Sequence, residues 1–142
     1  MKKFVFVLTL VAVASLSFCQ NPVGAWKGKL NVNTATMPKA STPEQQKMID
    51  KLLAQVKAAT LKLDMKANKT FAIQIPSIAG QRARNAEGKW SQSGRTITLI
   101  TTKEDGKPPK DKKPQKMIID ASGKKMSLTP TGSKQAAIIF TR

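Results

Sequence analysis

The chain has no histidine, no tyrosine and a single cysteine, and only 8 acidic residues stand against 25 lysines and arginines. Without histidine, and with one thiol, there is no ligand set for a zinc-type metal site. The imidazole that most often moves protons in catalysis is missing as well. The carboxylates Asp64, Glu87, Asp105, Asp111 and Asp120 each fall in a turn or on an outward strand face beside lysine, where they read as solvated charge partners. No serine or threonine sits in a nucleophile-elbow setting. The expectation is a protein that is not an enzyme, with no catalytic residue, no metal site and no cofactor.

Long apolar runs are equally scarce, and the one exception opens the chain. Lys2 and Lys3 precede an apolar run from Phe4 to Ala14, broken only by Thr9, and small residues follow at Ser15 and Ser17. This is the pattern of a secretory signal peptide over residues 1–19, too short to span a bilayer as a mature helix. Cleavage after Ser17 or after Cys19 satisfies the small-residue rule. Leu16-Ser17-Phe18-Cys19 also resembles a lipoprotein signal, but bulky Phe18 stands where a small residue belongs before a lipidated cysteine. A secreted or periplasmic location is therefore preferred to a lipid anchor at Cys19. Cleavage after Cys19 leaves no cysteine, so no disulfide holds the fold.

Residues 20–142 fit one domain, large enough to bury a core without staples. Without Lys2 and Lys3 the chain keeps a net charge of about +15, which draws it to polyanions or an anionic membrane surface. Nucleic acid is not expected as a partner, because the chain is exported and carries no aromatic stacking platform among its basic residues. A monomer is the default.

What is present is mostly short alternation. Gly24-Ala25-Trp26-Lys27-Gly28 opens the first strand, in which Trp26, Gly28, Leu30 and Val32 share one face and Lys27, Lys29 and Asn31 the other. A helix over about 43–59 follows, with Thr42 as N-cap, Pro43 at the first helical position and Gln45 placed for a capping box. Its stripe Met48, Ile49, Leu52, Leu53 and Val56 is expected to lie against apolar surface. Seven further strands are predicted around Leu61–Met65, Phe71–Ile75, Trp90, Ile97–Ile100, Met117–Ile119, Met126–Leu128 and Ala136–Phe140. Tight turns follow strands two, four and six. The long connections after strands one, three, five and seven must then gather at one end, the mouth of an eight-stranded antiparallel up-and-down barrel whose closure removes exposed edges.

Gly24-Ala25-Trp26 at the head of strand one, eight meandering strands and Phe140-Thr141-Arg142 after the last resemble the lipocalin-like (calycin-like) small barrels of secreted bacterial proteins, over residues 22–142. The resemblance implies a barrel closed near Trp26 and open at the long-loop end, often with an apolar cavity. It also implies structural roles for Trp26 and Arg142, the guanidinium resting on the indole. The pattern departs in the helix, which lipocalins carry after strand eight. An insertion between strands one and two is more like the helical lid of fatty-acid-binding proteins.

Candidate cavity-wall residues are Leu30, Leu63, Phe71, Ile73, Trp90, Ile97, Leu99, Met117 and Phe140, although an eight-stranded barrel is just wide enough either to be filled or to hold one small ligand. Gly88-Lys89-Trp90 is read as the start of strand four at the open side, so Trp90 is the tryptophan expected to meet any ligand. Basic residues crowd the long connections, and Arg82, Arg84, Lys112 and Lys113 are the candidate anion contacts of the rim, joined by Lys134 on the last one. Two functions follow. One is a non-catalytic barrel that binds an apolar or anionic amphiphilic small molecule. The other is a filled barrel acting as an interaction module or inhibitor, docking through basic loops on an anionic envelope polymer, a membrane surface or a protein.

Overall fold

A computed structural model describes residues 20–130 and 136–142. The leader expected over residues 1–19, with Cys19, and the loop residue Lys134 lie outside the described residues. The strands are β1 (Gly24–Val32), β2 (Leu61–Met65), β3 (Thr70–Ile75), β4 (Arg84–Ser93), β5 (Thr96–Glu104), β6 (Gln115–Ile119), β7 (Lys125–Leu128) and β8 (Ala136–Thr141). Each pairs antiparallel with the next, and β8 closes on β1 with Phe140 opposite Gly28. The result is the expected eight-stranded meander barrel, with helix α1 (Pro43–Ala58) between β1 and β2. Among the described residues no helix is long and apolar enough to cross a membrane.

Alternation puts one side chain in two inside. Trp26, Leu61, Leu63, Met65, Phe71, Trp90, Ile97, Leu99, Met117, Ile119, Met126, Leu128 and Phe140 form one buried cluster. Full burial of such side chains contributes about 1.5–3 kcal/mol each. Two glycines let this core close. A Cβ on Gly28 would come within 2.6 Å of Phe140 Cε1, so the phenyl ring occupies the space a side chain would fill. At Gly88 a Cβ would overlap the Ile100 carbonyl oxygen and stand 2.8 Å from Phe71 Cε1. The register between β4 and β5 shifts between Glu87 and Gly88, and that bulge draws the two backbones together there.

The start of β4 differs from the sequence reading. The strand begins at Arg84, not at Gly88, because Arg84-Asn85-Ala86-Glu87 pair with β3 in unbroken register although Ala86 is their one apolar residue. Trp90 therefore lies towards the closed end, near the Ser93-Gly94 turn, rather than at the open side. Arg84 stands on a strand, opposite Ile75, rather than on the loop.

Helix α1 starts as predicted. Thr42 Oγ1 accepts from the Gln45 N–H at 3.2 Å, and Gln45 Oε1 reaches one residue further back, accepting from the Ser41 N–H at 2.9 Å. The expected apolar docking is incomplete. Ile49, Leu53 and Val56 are half-buried, but Met48 is 66% and Leu52 41% exposed, and no residue of the helix is buried. The helix touches the barrel along β1. At its end Lys29 Nζ donates to the Ala58 carbonyl at 3.3 Å and to Thr60 Oγ1 at 2.6 Å. A cation at the last free carbonyls of a helix also offsets the negative end of its dipole.

Candidate functional site

The nine candidate wall residues lie in or against one core cluster. Leu63, Phe71, Trp90, Ile97, Leu99, Met117 and Phe140 are buried, with Ile97, Met117 and Phe140 at 0% exposure. A void that admitted water would show as accessible area on the side chains lining it, so no such void touches Ile97, Met117 or Phe140. Leu30 and Ile73 remain half-buried, and with Ile75 and Ile138 they pack on the core from the mouth side.

Both indoles plug the closed end and both are capped by a cation. Trp26 Nε1 donates to the Pro22 carbonyl at 2.8 Å, and the Arg142 guanidinium lies 4.5 Å from the Trp26 ring centroid. Arg142 Nη1 also donates to the Val23 carbonyl at 3.1 Å. Trp90 Nε1 donates to the Lys66 carbonyl at 3.0 Å, in the turn between β2 and β3, and Lys69 Nζ lies 3.9 Å from its ring centroid. The neighbouring β6–β7 turn is organised by Asp120. The Ser122 hydroxyl, chiefly, and the backbone N–H groups of Lys124 and Lys125 donate to its carboxylate and hold its pKa below the ordinary aspartate value.

At the mouth the rim residues Arg82, Arg84, Lys112 and Lys113 are all exposed. Arg82 is 3.6 Å from Asp105. Asp105 also ties the start of the β5–β6 connection to β4, accepting from the Asn85 N–H at 2.8 Å and donating its own N–H to the Asn85 carbonyl at 2.8 Å. Lys112 and Lys113 belong to the β5–β6 connection, where Asp111 Oδ1 accepts from the Lys113 N–H at 3.0 Å. That connection folds over Pro109, which is buried while its lysines face solvent. Among the described residues neither Lys112 nor Lys113 has an ion pair with a carboxylate, and no three or more His, Cys, Asp or Glu side chains form a group that could hold a metal ion.

Sequence reasoning missed a cleft of about 630 Å³ on the outer wall of β1, β2 and β3. Its floor is shallow side chain: Ala25 and Ala72 flank Asp64 along one cross-strand row. The next row carries Lys27, Lys62 and Gln74, and Thr141 and Arg142 complete the edge. The available signal was the pair of alanines at outward positions beside lysines, which reads as a dent only once the strand register is known. A second cleft, about 620 Å³, lies between the end of α1 and the β3–β4 connection, lined by Gln55, Ala58, Ala59, Ser77 and Arg82 among others.

No family model matches the chain, and no curated protein matches it. Among solved structures it is similar to a DUF4847 family protein from Bacteroides vulgatus, with 19% sequence identity, 84% of this chain and 92% of that chain covered, and a TM-score of 0.46. The barrel assignment rests on this chain's own strand pairing.

Proposed function

We propose that this protein is an exported, non-catalytic interaction module that docks on an anionic polymer through its outer surface. The observation that carries the reading is the filled interior: the inward side chains are buried against one another, while the cationic groups stand outside. A filled barrel leaves its exterior for recognition, and a net charge of about +15 after loss of the leader attracts polyanions at long range. The absence of histidine and tyrosine supports the non-catalytic part. The leader pattern over residues 1–19 supports export. The Arg142–Trp26 contact supports the finer kinship with lipocalin-like barrels of secreted bacterial proteins.

Retention on an immobilised acidic polysaccharide tests this function. The expected result is binding at low salt that weakens steadily as salt rises. Passage of the protein through such a column at low salt, as through an uncharged one, overturns it.

The half-buried apolar side chains at the mouth, Leu30, Ile73, Ile75 and Ile138, favour a second reading. In it an apolar or anionic amphiphile rests in the mouth with its acid group near Arg82, Arg84, Lys112 or Lys113. Native mass spectrometry of protein purified from its own secretory pathway checks it. A bound mass or uptake of one fatty-acid equivalent supports the mouth site, and a clean apo mass with no uptake removes it.

A further inference from the structure

Lys27 and Lys62 face each other directly across β1 and β2 on the outer wall. Like charges placed opposite in a sheet repel and weaken the pairing. Neither ammonium has a hydrogen bond or an ion pair among the described residues. Lys29, two residues along the same strand, differs: its ammonium is occupied by Ala58 and Thr60. Lys27 and Lys62 thus have no comparable structural task, and they border a cleft whose volume lies in the range of small-molecule sites, about 300–1,000 Å³.

We infer that this cleft seats an acidic sugar unit, its carboxylate held between Lys27 and Lys62 and its hydroxyls by Asp64 and Gln74. The inference rests on the anionic-polymer reading and narrows it to one ligand class and one site. The chemistry of the lining selects the class. Two ammonium groups fit a carboxylate, which accepts charge-assisted hydrogen bonds. Asp64, set between the two alanines, repels a densely charged polyphosphate or sulfate run, but accepts hydroxyl protons from a ring carrying a single charge. The methyl groups of Ala25 and Ala72 offer a flat seat for the apolar face of a sugar ring. They are too short a floor to shelter an acyl chain. Thr141 and Arg142 line the remaining edge of the cleft.

The test is titration of the protein with trigalacturonic acid, followed by backbone amide shifts, with maltotriose as neutral control and dodecanoate as acyl control. Expected shifts centre on Ala25 to Lys27, Lys62 to Asp64 and Ala72 to Gln74. The double variant Lys27→Gln/Lys62→Gln should weaken binding by about tenfold or more, as loss of charged hydrogen bonds does. Ala72→Leu, which fills the cleft without changing charge, should weaken it comparably. Lys47→Gln/Lys51→Gln on α1 removes the same charge from residues that do not line the cleft and should leave binding close to that of the unaltered protein. Equal weakening by the helix variant, equal binding of maltotriose, or shifts caused by dodecanoate alone each overturn the inference. If the protein is still retained by acidic polysaccharide while the cleft variants bind unchanged, the site assignment fails and the broader function stands. Loss of all retention removes both.

Discussion

The guanidinium of Arg142 lies 4.5 Å from the ring centroid of Trp26, joining the last residue of the chain to the first strand. The same side chain donates to the Val23 carbonyl, so one residue holds the closed end by a cation–π contact and a hydrogen bond. Arg142→Ala should lower stability by about 0.5–2 kcal/mol, read from urea unfolding followed by tryptophan fluorescence. Arg142→Lys should recover part of the loss. An unfolding midpoint unchanged in the alanine variant would show that the contact is incidental.

Gly88 and Gly28 each accept a neighbour where a side chain would stand, but the neighbours differ in how far they can give way. At Gly88 the obstacle is the Ile100 backbone carbonyl, held in the β4–β5 ladder. At Gly28 it is the far edge of the Phe140 ring. Both alanine variants should be destabilised, by about 1–3 kcal/mol for ordinary overpacking, with Gly88→Ala the worse. Thermal unfolding of the two variants side by side checks the order. The reverse order would contradict the backbone argument.

Lys29 fastens the end of α1 to the barrel. Lys29→Met keeps the stem and removes the donor, so the Ala58 carbonyl and Thr60 hydroxyl lose a partner. A loss of about 0.5–1.5 kcal/mol is expected, concentrated in the helix. Amide hydrogen exchange should speed up near residues 55–60 while the barrel strands keep their protection. Exchange unchanged at the helix end would leave Lys29 without this role.

Asp120 should make the β6–β7 turn acid-sensitive. Its folded pKa is depressed below the ordinary 3.8, first by the Ser122 hydroxyl and then by backbone N–H donors. The carboxylate's contribution is therefore complete above the unfolded value and disappears as pH falls through the lower folded one. Amide signals of Gly123 to Lys125 should shift in that acid range, and Asp120→Asn should abolish the titration. A carboxyl titrating at or above the ordinary value would refute the arrangement.

Much of the architecture was legible because a half-buried strand writes its orientation in every second residue. Trp26-Gly28-Leu30 and Leu61-Leu63-Met65 are inward by alternation alone, and the alternating connection lengths place the mouth. Arg84 to Glu87 were not legible as strand, since their inward face carries only Arg84 and small Ala86, too little apolar side chain to show the alternation that continues through Gly88 and Trp90. Helix α1 misled differently. Its spacing identifies an apolar stripe but not how much of it finds a surface, and Met48 and Leu52 stay in solvent.

The sequence by itself determined the barrel, the helix after the first strand, the inward set of side chains and the surplus of positive charge, because each is a local or compositional property. Only the tertiary structure decided that the interior is packed where the inward set meets, that Trp90 belongs to the closed end, and that Lys27 stands opposite Lys62 beside a cleft. Those relationships depend on register between strands and on the volumes that meet across the barrel. Residues distant in the chain set both, and no short stretch of sequence encodes either.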